Sequence, residues 1–453
     1  METTEVKFEL SKEFAERLQQ AVNERDEAFI KEALDGVNPA DITETLEEFS
    51  SEDSRYVLSL LDVEVAAEII SQLDEDTLKR FLKVYTPQEL ASYIEVIDSD
   101  DAVDILNVLP TDVREEVIAS LSNQEKVDYI LDLLRYDEDV AGGLMAKELI
   151  KANVNWTIEQ TIEEIRRQGE NVTQIYAVYV VDDLDILLGK VSLRKILLAK
   201  DGTLIKDIYD DEIIKVTTNT PVEEVVALMK KYDLDAIPVV NVRGKLMGRI
   251  TIDDVVDVMS EQADEERQLM SGISEDVEED DSIWVLTRAR VPWLVIGLIG
   301  SFFGAEVIRQ FEGQIAVVPI LASFIPLITA TGGNVAIQSA SMVVQSLATK
   351  SVFQESQTKR LMKVIAVALL NGLLLALLAF TLSYFMRHDL RVSMVVATAL
   401  ACVVLLASLS GTITPILLDK LGINPAAASG PFITTANDLL GLAVYFLVAY
   451  LLL

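Results

Sequence analysis

Gly430-Pro-Phe-Ile-Thr-Thr-Ala-Asn-Asp438-Leu-Leu-Gly441 opens the last stretch of the chain, and Leu442 to Leu453 continue it without another charge. A helix needs about 20 mostly apolar residues to cross the hydrocarbon core of a bilayer, a length that 430–453 reaches. Four more such runs precede it, at approximately 288–309, 315–347, 361–386 and 392–418, so five transmembrane helices are expected. Asp438 is the only carboxylate in the interior of the last four, and in the other late runs the one Lys or Arg is Lys363, at the edge of the run 361–386 and not in its interior. An ionised carboxylate in a span costs about 2.5–3.5 kcal/mol even on forgiving insertion scales, so such a group faces water, a cation or a partner. Thr434 stands one helical turn before it.

The second run carries polar residues that a simple anchor would not. It contains Pro326-Leu-Ile-Thr-Ala-Thr-Gly-Gly-Asn-Val-Ala-Ile-Gln338, in which Thr331, Asn334 and Gln338 recur at helical spacing and share a face. Gly332-Gly333 permits either close helix approach or local unwinding that turns carbonyls toward a cavity. The run is also long enough to be tilted, broken or extended beyond the bilayer. A cation path lined by Asp438, Thr434 and the amides of the second run, Asn334 among them, is the reading that accounts for both stretches.

Charge is segregated along the chain. The 453 residues carry 38 basic and 73 acidic side chains, a net of −35, yet half are hydrophobic and the mean hydropathy is +0.31. Residues 1–283 hold 28 basic and 67 acidic groups, whereas 284–453 hold 10 and 6. An acidic part is thus fused to a membrane part. That much negative charge repels nucleic acid phosphates and anionic lipid heads, so nucleic acid is excluded as a partner, bilayer lipid meets only the spans, and cations are the natural counterparts. Cys402 and His388 are the only residues of their kinds, which excludes an intrachain disulfide, Cys/His zinc sites and a Ser-His-Asp triad. Met1-Glu2-Thr3-Thr4-Glu5 lacks the basic and apolar regions of a secretory signal, so the acidic part is expected in the cytoplasm. An odd number of spans then puts the C-terminus outside. Inside flanks carry Arg288, Arg290, Lys350, Lys359, Arg360, Lys363 and Lys420 against Arg309, Arg387 and Arg391 outside, in keeping with the positive-inside rule.

Two duplications organise the acidic part. Between 60 and 122 the segments Leu61–Leu73, Tyr85–Ile97 and Leu109–Leu121 align with a period of 24, the signature of a helical solenoid of either hand. Within it, Asp100 and Asp104 at i, i+4 put two carboxylates on one face. From 137 to 260, Val180-Val181 followed by Gly189-Lys-Val-Ser192 returns 59 residues later as Val239-Val240 followed by Gly248-Arg-Ile-Thr251, each copy preceded by a helix-like stretch at 157–167 or 221–231. This duplication resembles a tandem pair of CBS domains. The family's G-x-x-S/T-x-x-D element stands in the second copy as Gly248, Thr251 and Asp254, whereas the first ends in Lys195, which leaves ATP at the CBS copies open. Asp253, Asp254, Asp257, Glu261, Asp264, Glu265 and Glu266 follow, a helix-compatible run leading through Glu275–Asp281 into the first span, too acidic to fold against itself without repulsion. Its side chains are either solvated or bridged by divalent cations to acids on other domains.

The order of parts, with Pro-x-x-x-x-Thr-Gly-Gly-Asn-x-x-x-Gln and Gly-Pro-Phe-Ile-Thr-Thr-x-x-Asp-x-x-Gly in the spans, resembles the MgtE family of magnesium channels over nearly the whole chain. The resemblance implies an all-α helical-repeat domain over 1–136, an α/β tandem CBS pair over 137–200 and 201–260, an acidic connecting or "plug" helix over 261–287, and an α-helical membrane domain over 288–453. It implies a homodimer whose pore lies on the two-fold axis, with Asp438 as the Mg²⁺-site carboxylate. Regulatory positions carried over are Glu68, Asp100 and Asp104 in the helical domain, Glu223, Asp233, Asp254 and Asp257 in the second CBS copy, and Glu265 and Glu266 in the connecting helix. Pro221, Gln262, Asn424 and Gly430 depart from acids or amides that relatives have there.

The expected function is a Mg²⁺-selective uptake channel closed by cytosolic Mg²⁺ bound among these acids. The ion prefers octahedral oxygen ligands and gives up water reluctantly, which suits a carboxylate ring around a hydrated ion. The alternative is an ion-coupled divalent-cation secondary transporter, disfavoured because the spans offer no His and no second buried carboxylate for a proton relay. A membrane-anchored nucleotide sensor is disfavoured by the polar faces of two spans, and an enzyme by the lack of a nucleophile–base pair or phosphate-cradling Gly loop.

Overall fold

A computed structural model of the chain describes residues 12–169, 172, 174–274, 277, 282–348, 357–428 and 430–453. Lys350 and the Glu275–Asp281 run, Val277 apart, lie outside the described residues. Two compact units emerge, Met1–Val258 and Met259–Leu453.

Short capped helices open the first unit. They are α1 (Lys12–Glu24), α2 (Glu27–Leu34), α3 (Pro39–Glu47), α4 (Ser51–Leu58), α5 (Val63–Ser71), α6 (Glu75–Leu82), α7 (Pro87–Ile94), α8 (Ser99–Val108), α9 (Thr111–Ser120) and α10 (Gln124–Leu133). All but α1 end within about three turns, and Asn38, Ser50, Thr86 and Asn123 each accept a backbone N–H of the helix they precede, whereas Asp62, Asp98 and Pro110 before α5, α8 and α9 make no side-chain cap bond. The helices α3, α5, α7 and α9 start 24 residues apart and pack in succession, while α4, α6, α8 and α10, starting 24, 24 and 25 residues apart, pack in succession in a second layer. The solenoid therefore has one unit more than the 60–122 alignment contains, namely α3 and α4. Between the layers Ile42, Leu46, Ile69, Ile70, Phe81, Leu90, Ile94 and Leu106 are buried, each contributing about 1.5–3 kcal/mol of transfer free energy.

The 59-residue duplication folds twice alike. The first copy comprises β1 (Ile150–Asn153), α11 (Ile158–Gln168), β2 (Val178–Val181), β3 (Leu187–Val191) and α12 (Leu193–Leu198). The second comprises β4 (Val216–Thr217), α13 (Val222–Tyr232), β5 (Ala236–Val240), β6 (Leu246–Thr251) and the start of α14 (Ile252–Ser271). Each three-stranded sheet joins a parallel to an antiparallel pair, with Val180 opposite Gly189 and Val239 opposite Gly248, and each register shifts at the same Val-Val step. Both glycines are required by a neighbouring segment of main chain that forms an isolated bridge to the next residue: a Cβ at Gly189 would lie 2.1 Å from Asp210 O, and one at Gly248 2.5 Å from Ala146 O. The acidic run is not a separate helix beginning at 261. It continues the last CBS helix without a breaker until Gly272, whose φ of +81° ends α14.

The second unit holds α15 (Ile283–Gln310), α16 (Glu312–Val317), α17 (Ile325–Ala348), α18 (Gln357–Arg387), α19 (Leu390–Lys420) and α20 (Pro431–Leu452). Among the described residues five helices are long and apolar enough to cross a membrane: Ile283–Gln310, Pro319–Leu347, Leu361–Met386, Leu390–Lys420 and Pro431–Leu452. The run at 315–347 is broken: α16 ends at Val317, and a 3₁₀ turn, Pro319–Phe324, precedes α17. Pro319 lacks the N–H that would continue α16, and Tyr445 Oη donates to the carbonyl of Leu321 at 2.8 Å, satisfying a group the turn leaves free. At the centre stands α19, packed against α17, α18 and α20, with Val395, Val396, Ala399, Val403 and Val404 in the core beside Tyr445 and Phe446.

Candidate ion path and acidic junction

Asp438 lies on α20, half-buried, against the glycine pair of α17. A Cβ at Gly333 would lie 3.1 Å from Thr434 Cγ2 and 3.8 Å from Asp438 Oδ1, and one at Gly332 2.9 Å from Val403 Cγ1. The pair therefore serves close approach rather than unwinding, since α17 is helical throughout. On α17, Asn334 and Gln338 are exposed in the single chain and Thr331 is half-buried, so the polar face is directed outward from the protomer. Among the described residues no Lys or Arg forms an ion pair with Asp438.

Asn437, next to Asp438, is a residue that sequence reasoning passed over. It is buried, accepts from Ser410 Oγ of α19 at 2.8 Å and donates to the Ile433 carbonyl at 2.9 Å. Its side chain fixes how α20 is turned about its axis, and hence where Asp438 points. Before α20, the end of α14 meets the chain directly: a Cβ at Gly430 would lie 2.8 Å from Met270 O, and one at Gly272 2.6 Å from Pro431 Cγ.

In the first unit the expected acids fall into two groups. Glu68 on α5, Glu223 on α13 and Asp233 after it are exposed, Asp233 with a φ of +52°. Asp100 and Asp254 come together, joined by Asp98 and Asp101, which the sequence reading did not single out. Burial, then Asp254, Asp101, Asp98 and Glu148, push Asp100 well above the carboxylate range. Burial, then Asp104, Asp254 and Asp98, push Asp101 up to about 7 against the pull of Lys126. Burial raises Asp254 as well, opposed by the Thr251 N–H and Oγ1, which donate to its Oδ2 at 3.0 and 2.5 Å. Asp104 is exposed on α8. In the first CBS copy the Nζ of Lys195 donates to the carbonyl of Ile208, 13 residues on, at 3.3 Å. Further along α14, Asp257 is raised by partial burial and Asp253, and Glu266 by partial burial and Glu265; Glu265 itself is exposed. No three acidic, His or Cys side chains among the described residues converge into a closed metal cage. The junction is a region of negative field that a hydrated cation or a proton relieves, without a preformed dry site.

A unit of five membrane-length helices among the described residues, with an intramembrane carboxylate that no described Lys or Arg pairs, joined to a CBS pair and an acidic solenoid, defines a membrane transport protein. The comparisons narrow that class. The MgtE family, described as a divalent cation transporter, matches residues 325–448; the MgtE intracellular N domain matches 37–139, and CBS domains match 139–202 and 205–261. The magnesium transporter MgtE of Thermus thermophilus is 34% identical over 448 residues, covering 98% of this chain and 99% of its own length. That of Enterococcus faecalis is 33% identical over 326 residues, 72% of each chain. A crystal structure of the cytosolic domain of the Mg²⁺ channel MgtE in complex with ATP is 33% identical, covers 54% of this chain and 99% of its own, and superposes with a TM-score of 0.51. The chain belongs to the MgtE family. These relatives are transporters and channels, and the chain is not an enzyme.

Proposed function

We propose that this protein is a magnesium channel of the cell membrane that admits Mg²⁺ and is closed by cytosolic Mg²⁺, with its solenoid and CBS pair in the cytoplasm and its C-terminus outside. The observation that carries the reading is Asp438, half-buried in the last span beside Thr434 and Gly333 with no described cation to neutralise it. The outward polar face of α17 supports a homodimer: Asn334 and Gln338, exposed in one chain at membrane depth, need water or a second copy, and a two-fold path supplies both. Two Asp438 carboxylates, one per protomer, then hold a largely hydrated ion, with Thr434 and Asn334 accepting or donating to its water shell.

Regulation is assigned to Glu68, Asp100, Asp104, Glu223, Asp233, Asp254, Asp257, Glu265 and Glu266. The raised Asp100 and Asp254 support it, because carboxylates forced together are relieved by a divalent ion. The ion must bind the closed form more tightly than the open one, or it shifts nothing; several weak sites acting together supply the difference. The related ATP complex raises a nucleotide as a second ligand. Between the CBS copies a cavity of about 100 Å³, lined by Tyr176, Lys190, Asp233, Asp235 and Pro238, falls short of the about 300–1,000 Å³ of usual ligand clefts. A nucleotide does not fit it as it stands.

The test is patch-clamp recording from purified protein in liposomes, with Mg²⁺ as sole permeant cation and the cytosolic face stepped from chelator to millimolar Mg²⁺. Current that shuts as internal Mg²⁺ rises is expected. Uptake that requires a second ion and carries no such current would replace the channel with a coupled transporter.

A further inference from the structure

Ser410 and Gly411 are consecutive on α19, a helix that carries none of the residues assigned to the ion path, yet each holds one of the two helices that do. At Gly411 the crossing with α17 leaves no room for a side chain: a Cβ there would lie 2.4 Å from Ala336 O and 3.0 Å from Ser339 Cβ. The helix is thereby seated on the one that carries Asn334. At Ser410 it meets α20. The Ser410 Oγ stands 2.8 Å from Asn437 Oδ1 and 3.1 Å from the carbonyl of Ala407 in its own helix.

A hydroxyl has one proton to give. Asn437 Nδ2 donates to the Ile433 carbonyl at 2.9 Å, which leaves Oδ1 as the acceptor that faces Ser410. Serine and threonine inside helices commonly return their proton to a carbonyl one turn back, as Ser339, Thr412, Thr414 and Thr434 do to Val335, Ser408, Ser410 and Gly430. Among the described residues of the spans, Ser410 is the one Ser or Thr that donates to a side chain on another helix. The amide it meets is 3% exposed, so water does not compete for the bond. Asp438 follows Asn437 in the chain, about 100° further round the helix, and any turn of α20 about its axis carries both.

We propose that Ser410 is a positioning residue for the ion path: its hydroxyl, acting through Asn437, holds α20 at the rotation in which Asp438 faces Gly333, and so sets how tightly the path binds its cation. The proposal rests on the assignment of Asp438 to that path. Without the bond α20 visits other rotations, and the apparent affinity for the ion is scaled by the fraction of molecules in the competent one. One buried hydrogen bond shifts such a balance about three- to tenfold.

Initial Mg²⁺ uptake by the purified full-length protein in liposomes, measured against external Mg²⁺, tests it. Ser410→Ala should raise the half-saturating concentration about three- to tenfold and change the maximal rate per folded protein less than about twofold. Ser410→Thr, which keeps the hydroxyl, should stay near wild type. The double variant Ser410→Ala/Asn437→Ala should be no weaker than Asn437→Ala alone, because both changes remove the same bond. A hydroxyl that only supports the fold would lower the yield of folded protein and leave half-saturation where it was. Should Ser410→Ala not fold, Ser410→Cys, of similar shape but a poorer donor, is read by the same criterion. Asp438→Ala measured alongside separates the two assignments: full uptake there removes the path itself. Lost uptake there with unchanged half-saturation in Ser410→Ala, or a double variant whose shift is the product of the single ones, would overturn the role of Ser410 alone.

Discussion

Asp438 and Asn437 are neighbours with different duties. Replacing Asp438 with Ala is expected to abolish Mg²⁺ flux in liposomes while leaving the unfolding midpoint of the purified protein near wild type. Full flux in that variant would refute the path described above. Asn437→Ala removes a buried amide that bonds Ser410 and Ile433 and should destabilise the membrane unit by about 0.5–1.5 kcal/mol, read as a lower thermal midpoint in detergent. Its flux should fall without vanishing, because the carboxylate is still present but less firmly aimed. Asp438 was legible in the sequence because a lone carboxylate in an apolar run contradicts its surroundings. Asn437, adjacent to it, was not, since an amide in a span acquires meaning only from its partner on another helix.

Elements were legible where one periodicity dominates. The five apolar runs and the two duplications stand out from their background, so the spans, the solenoid and the paired sheets were expected from residues alone. The first solenoid unit was hidden by Thr43 and Thr45, which read as polar but are buried with their hydroxyls donating to Pro39 O and Asp41 O. That the second run is broken was one of the readings its length allowed; where it breaks, at Val317–Pro319, was hidden by apolarity, which does not change across it. At the same scale, replacing Asp254, Asp257, Glu265 and Glu266 together by their amides should leave Mg²⁺ current flowing but remove its inhibition by internal Mg²⁺. Unchanged inhibition would sink the assignment of α14 as part of the sensor. Gly248→Ala, which drives a Cβ toward the Ala146 carbonyl at 2.5 Å, should cost about 1–3 kcal/mol of stability, measured by denaturant unfolding.

For the whole molecule, ions that bind one folded state must also stabilise it. Mg²⁺ at about 100 times its dissociation constant adds about 2.7 kcal/mol per independent site, so the thermal midpoint of the wild type should climb with millimolar Mg²⁺ and that of the fourfold amide variant should climb less. The acidic junction itself was only half legible: composition announced that cations are wanted, but the meeting of Asp98 with Arg249 across 151 residues is a product of folding that no spacing rule announces. The place where α14 ends has a mechanical meaning of its own. Gly272 abuts Pro431 and Gly430 abuts the Met270 carbonyl, so main chain and a proline ring touch there with no long side chain between them to bend. Close-packed atoms of this kind have low compressibility, and a joint built from them has almost no backlash. If the channel proposed above gates through α14, a displacement at the end of that helix would reach the foot of the last span nearly stroke for stroke, like a pushrod seated directly on a valve stem.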